Sequence, residues 1–241
     1  MDFAEPCEPK ADQCVTPEVR PMAKRLVASD TAVAPVDDEA PVVRSLSGLR
    51  KAENECHRCP LYKNATQAVP GEGPNHARVM LVGEQPGDKE DLAGKPFVGP
   101  AGRILDKALA DAGIPRDETF VTNAVKHFKF EPRGKRRLHK KPNAYEIDRC
   151  KWWFEQERAI VKPELVVALG ATAARSVMGR AVTIGKLRGE ALTLEDGTRA
   201  VITIHPSALL RMQEEAEKRA AYAAFVKDLK VAARLVFKKA A

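Results

Sequence analysis

The chain is 241 residues long, 44% apolar and 30% charged, enough for one domain with a sizeable core plus a tail. Its 40 Lys and Arg outnumber 33 Asp and Glu, a net charge of +7, which favours an anionic partner, nucleic acid first. No apolar run of about 18 residues occurs, which excludes a membrane-spanning helix. No apolar leader opens the chain either, so a cytoplasmic, bacterial protein is expected.

Residues 1–43 hold 6 of the 17 prolines, and residues 1–45 carry a net charge of −4, leaving +11 for the remainder. With scattered charges and no apolar period, 1–43 reads as a disordered tail, and residues 44–241 as the folded domain. Cys7 and Cys14 sit in the tail as spare thiols. A short helix is expected from Val43 to Asn54, leading into Cys56-His-Arg-Cys59.

Four apolar runs follow: Arg78–Val82, Thr119–Thr122, Leu165–Leu169 and Ala200–Ile204. Helical patterns lie between them. Ile104, Leu105, Ala108, Leu109 and Ala112 repeat at helical spacing before Gly113 and Pro115. Asn143 with Glu146 resembles a capping box that starts a helix through Cys150 and Ile160. Tyr222, Phe225, Val226, Leu229 and Ala233 form the inner stripe of a last helix. Asp196-Gly197 joins Glu190–Leu194 to Ala200–Ile204 as a hairpin. This alternation predicts an α/β fold: a three-layer α/β/α sandwich around a mostly parallel four-stranded sheet.

In such sheets ligands bind beyond the carboxyl ends of the strands. The four runs end there in GEQPGDKED (Gly83 to Asp91), Asn123 to His127, GATAA (Gly170 to Ala174) and HPSALLR (His205 to Arg211). Each residue has a plain alternative: Glu84 as a helix N-terminal acid, Asn123 as a cap, His205 as a structural histidine, Phe97 as core. Their convergence from distant segments is what points to an active site. Gly94, Gly99 and Gly102 around Phe97 allow a ligand close to the backbone.

Two further features carry chemistry. Cys56 and Cys59 have the spacing of one metal centre; Cys150 and His127 are the natural third and fourth ligands, while His57 is crowded between the two cysteines. Zinc and an iron–sulfur cluster both fit this set. The second feature is the basic loop KRRLHKK (Lys135 to Lys141). It sets His139 among six cations, Arg133, Lys135, Arg136, Arg137, Lys140 and Lys141. Such a run is ordinarily a solvated or phosphate-binding patch, yet imidazole can also act as a nucleophile or base near neutral pH.

GEQPGDKED, KPFVGPAGRILD, VTNAVKH, VVALGATAA and HPSALLR, in this order over about residues 50–236, resemble the motifs of family 4 iron–sulfur uracil-DNA glycosylases. Gln85 where ordinary members have alanine, the KRRLH loop, and His127 in place of a cysteine resemble the UdgX branch. The resemblance implies a [4Fe–4S] cluster on Cys56, Cys59, His127 and Cys150. It implies excision of uracil from DNA, from a single-stranded or extrahelical base; a monomer is the default expectation. Phe97 would stack on uracil and Asn123 read its polar edge. His205 would donate to the uracil oxygen as charge develops. Gln85, Gly87 and Asp88 would shape the pocket, and Arg211, Lys135, Arg136 and Arg137 would meet phosphate. His139 would attack the sugar carbon that uracil leaves, oriented or deprotonated by Glu84, giving a stable covalent adduct. The surrounding cations favour the neutral ring that a nucleophile needs. An ordinary hydrolytic glycosylase and a non-catalytic uracil- or DNA-binding module are the competing readings. A flavodoxin-like nucleotide binder lacks its phosphate-cradling glycines.

Overall fold

The computed structural model describes residues 43–237. The expected tail lies, except for Val43, outside the described residues. Helix α1 spans Leu46–Asn54 and starts three residues later than expected, because the Ser45 side chain caps it by accepting from the Gly48 N–H at 3.2 Å.

The central sheet has five strands, in the order β2 (Thr119–Asn123), β1 (Val79–Gly83), β5 (Leu165–Leu169), β7 (Arg199–Thr203), β6 (Ala191–Thr193). Four of these are parallel. The expected count of four is corrected to five, since the hairpin partner β6 joins the same sheet antiparallel to β7. The parallel strands other than β7's first residue are buried throughout, as strands covered on both faces must be.

Alternate residues of β1 face opposite layers. Val79 and Leu81 pack with Leu105 and Leu109 of α3 (Pro100–Ala112) and with Phe225 and Leu229 of α8 (Glu215–Val236). Met80 and Val82 pack with Phe154 of α4 (Ala144–Val161) and Ala173 of α5 (Ala171–Met178). The period of two in the strand thus feeds two separate cores. The Asn143–Glu146 capping box forms as read, with Asn143 N–H donating to Glu146 at 2.7 Å. Short helices α2 (Asp88–Ala93), α6 (Ile184–Leu187) and α7 (Ser207–Leu210) complete the layers. No helix among the described residues is long and apolar enough to cross a membrane.

The basic loop is a β-hairpin. Strands β3 (Phe130–Arg133) and β4 (Arg136–His139) pair antiparallel, with Phe130 opposite His139. Gly134 turns the chain at φ +58, which its missing Cβ permits. A run of like charges conceals this geometry from composition.

Candidate active site

A cleft of about 740 Å³ opens at the carboxyl ends of the parallel strands, lined among others by Glu84, Phe97, Asn123, His139, His205 and Arg211. Gln85, Gly87 and Lys141 line it as well. Three of the four segments read as converging line it; the third, Gly170 to Ala174, reaches it only through Thr172, which bonds Glu84.

Its floor is built by close backbone approach. A Cβ on Gly83 would collide with the Asn123 side chain and the Phe97 ring, and one on Gly102 would collide with the Phe97 carbonyl. Phe97 itself sits at φ +57, a left-handed conformation that costs a bulky residue about 1–3 kcal/mol and persists only where surroundings impose it. Glu90 helps impose it. Its carboxylate accepts from Gly99 N–H at 2.7 Å and from Gly87 N–H at 3.1 Å, tying the two loops together.

The tautomer of His205 follows from its neighbour. Backbone N–H of Ser207 can only donate, and it points at Nδ1 from 3.2 Å. Nδ1 is therefore the acceptor, and the ring proton sits on Nε2. Ser207 Oγ lies 2.7 Å from the same nitrogen and accepts from Arg211 at 3.2 Å. Burial, then the nearby His139 and Arg211, hold the His205 imidazole down to about 4, so it is neutral at physiological pH. Its ring lies 5.9 Å from that of Phe97.

His139 lines the same cleft, with Nε2 3.4 Å from Glu84 Oε1. Half of its side chain is exposed, 48% against 23% for Glu84, so the ring edges the cleft rather than packing beneath it. The other Glu84 oxygen accepts from Thr172 Oγ1 at 2.7 Å, which fixes the carboxylate. Thr172, Glu90 and Ser207 brace this site, and sequence reasoning did not single them out. Thr172 does sit in the segment after the third apolar run, the one signal that could have found it.

The hairpin carrying His139 is anchored at two points. Gln85 Nε2 donates to the carbonyls of Lys129 at 3.0 Å and Lys140 at 3.1 Å, and its Oε1 accepts from Lys129 N–H at 3.2 Å. Gln85 thus clips both ends of the hairpin to β1. Arg137 is the second anchor. It donates to Asp88 and to buried Asp91, each at 2.6 Å, and lies over Phe128 and Phe130, 5.4 and 5.1 Å from the ring centres. Two expectations are corrected here: Arg137 is engaged inside the protein rather than offered to phosphate, and Asp88 holds Arg137 instead of lining the cleft. Lys135 and Arg136 stand exposed at the hairpin tip.

Beside the cleft, Cys56, Cys59 and Cys150 are buried in one cluster with Trp153. Trp153 Nε1 donates to Cys56 Sγ at 3.0 Å, and Lys126 N–H to Cys150 Sγ at 3.2 Å. Burial pushes the Cys59 and Cys150 thiols up, and each also feels the charge of the other cysteines. His127 is buried too and held neutral, its imidazole down at about 4 chiefly by desolvation. Among the described residues, no three His, Cys, Asp or Glu side chains gather tightly enough for a single metal ion. The donor chemistry suits a cluster better: several buried thiols with N–H donors aimed at sulfur, and a neutral imidazole nearby.

A family model of the uracil DNA glycosylase superfamily matches residues 70–230. The chain is 38% identical over 191 residues to a type-4 uracil-DNA glycosylase of Pyrobaculum aerophilum, covering 76% of this chain and 91% of that protein. It is 38% identical over 166 residues to one of Thermotoga maritima, with 68% and 83% covered. To one of Archaeoglobus fulgidus it is 32% identical over 185 residues, with 73% and 89% covered. The chain belongs to the uracil-DNA glycosylase superfamily.

Proposed function

We propose that this protein excises uracil from DNA and then captures the deoxyribose on His139, in the manner of the UdgX branch. The observation that carries the reading is that His139 lines the same cleft as Phe97, Asn123 and His205, with its Nε2 3.4 Å from Glu84. Uracil stacks on Phe97 and presents its polar edge to Asn123. The bond between sugar C1′ and uracil N1 breaks, and its electron pair leaves with the base. Neutral His205 donates from Nε2 to the uracil oxygen where that charge gathers. Glu84 takes the proton from His139 Nε2, and the freed lone pair closes on C1′. The N-alkylated imidazole is a poor leaving group, so the adduct has no ready exit. A single-stranded or flipped-out nucleotide fits this cleft, because a base inside a duplex is out of reach. Lys135, Arg136 and Arg211 supply phosphate contacts, and the protein acts as a monomer.

Cys56, Cys59, His127 and Cys150 would hold a [4Fe–4S] cluster. Bound there, it would cross-link the two ends of the segment that carries the hairpin, a structural role. Purified protein should then contain iron and acid-labile sulfide in equal amounts, and a Cys56→Ser, Cys59→Ser protein neither.

Denaturing electrophoresis with a uracil-containing single-stranded oligonucleotide tests the capture. A heat-resistant shifted band is expected from the native chain and none from His139→Ser. A band of equal strength from His139→Ser would refute the assignment. Abasic DNA without any band from the native chain would instead favour hydrolysis, with Glu84 activating water.

A further inference from the structure

A second groove adjoins the cleft and has no part in the chemistry above. It runs between the first two turns of α3 and α8, beside α7, and encloses about 420 Å³. Its walls are apolar, with Ile104, Leu209, Leu210 and the ring of Tyr222, while its rim carries four cations and a single acid, Glu215. Two of these cations are already engaged. Lys107 donates to Asp111 at 2.8 Å and to the Tyr222 hydroxyl at 3.1 Å, and Lys218 pairs with Glu215 at 3.3 Å. Arg103 and Arg219 are exposed, and neither guanidinium has a hydrogen-bond or ion-pair partner among the described residues.

The groove is continuous with the cleft. Leu210, 48% exposed, lines both, and consecutive residues Pro100 and Ala101 line one each. A strand leaving the cleft past Leu210 meets this groove next. Flat apolar walls beneath unpaired guanidinium groups match the two faces of a nucleotide: a base that gains by leaving water, and a phosphate that needs a cation. A peptide helix would find apolar wall here too, but two unpaired guanidinium groups, with the one rim acid already paired to Lys218, favour a polyanion.

We infer that this groove seats a nucleotide flanking the uracil on the substrate strand, its base against Ile104, Leu210 and Tyr222 and its phosphates on Arg103 and Arg219. The inference rests on uracil excision in the adjoining cleft, and extends recognition beyond the excised base.

The test uses the full chain in excess over single-stranded oligonucleotides with one uracil, trimmed stepwise from either end, and follows uracil release. For the native protein, removing the flank on one side should raise the half-saturating protein concentration about tenfold, with the maximal rate unchanged. Arg103→Gln with Arg219→Gln should show the same rise already on the long oligonucleotide, and should match the native protein once that flank is gone. Equal half-saturation of both proteins at every length would overturn the inference and leave the groove to a protein partner. If no oligonucleotide yields uracil, the excision reading fails by itself. The same series read by fluorescence polarisation then still decides whether the two arginines hold the flank.

Discussion

The two nitrogens of His205 meet different surroundings, and the difference is measurable. Nitrogen NMR at neutral pH should find Nδ1 bare and Nε2 protonated, with a titration midpoint near 4. A midpoint near 6.5 would remove the neutral-donor account. The folded value lies below the free value, so as pH falls the unfolded chain takes up this proton first. The stability that His205 contributes is complete above about 6.5 and is lost as pH drops to about 4. His205→Gln should flatten the pH dependence of unfolding in that window, and should slow uracil release about 10²–10³-fold. Gln85 acts differently, through position. Its three bonds to the hairpin hold His139 over the cleft, and a small misplacement of a reacting group costs up to about 10² in rate. Gln85→Ala should therefore delay adduct formation about ten- to a hundredfold while changing uracil release by much less. A comparable fall in both rates would assign Gln85 to the base pocket instead.

At the scale of elements, the end of β2 is fixed from below by a buried ion. Lys126 Nζ donates to Thr122 Oγ1 at 2.6 Å, to the Asn123 carbonyl at 3.0 Å and to Glu157 of α4 at 2.7 Å. Glu53 of α1 lies 3.9 Å away, and burial together with Glu157 pushes its carboxyl up. Removing one partner of such a set leaves a buried charge uncompensated. Lys126→Met should cost about 3–5 kcal/mol in urea unfolding; a loss below about 1 kcal/mol would show that the pair is dispensable. None of this was legible in the sequence. A lysine between apolar residues at a strand end reads as solvated, and its partner Glu157 is 31 residues away on another element. Arg137 was hidden for the same reason. Within a run of like charges it resembles its neighbours, and only Asp91, 46 residues earlier, sets it apart. The four parallel strands, by contrast, were readable to within a residue, because burial on both faces writes itself as uninterrupted apolar runs, while the exposed hairpin β3–β4 was not. The capped start of α4 was equally plain.

Across the whole molecule, charge is divided by task. Arg137 and Lys126 fasten one part of the fold to another, whereas Lys135 and Arg136 stand exposed at the hairpin tip and Arg211 at the cleft. Only exposed cations release counterions when DNA binds. Changing Lys135 and Arg136 to Gln should therefore lower the salt slope of single-strand binding by about 0.7 per lost phosphate contact. Arg137→Gln should chiefly loosen the hairpin. Glu84, Gln85, Asn123 and His205 were legible because each follows an apolar run at its carboxyl end, whereas Phe97 and His139 stand away from those ends, on a loop and on the hairpin. The supports Thr172, Glu90 and Ser207 were not legible, since they brace side chains and loop amides rather than mark a strand end. What unites these parts is a histidine on a clipped hairpin at the cleft, proposed to capture the sugar carbon that uracil vacates. The most direct measurement is intact mass of the complex formed with a single-uracil oligonucleotide, followed by peptide mapping. The account predicts the summed mass of protein and DNA less one uracil, with the sugar on the peptide containing His139. Attachment at another residue, or unmodified protein beside abasic DNA, would contradict it.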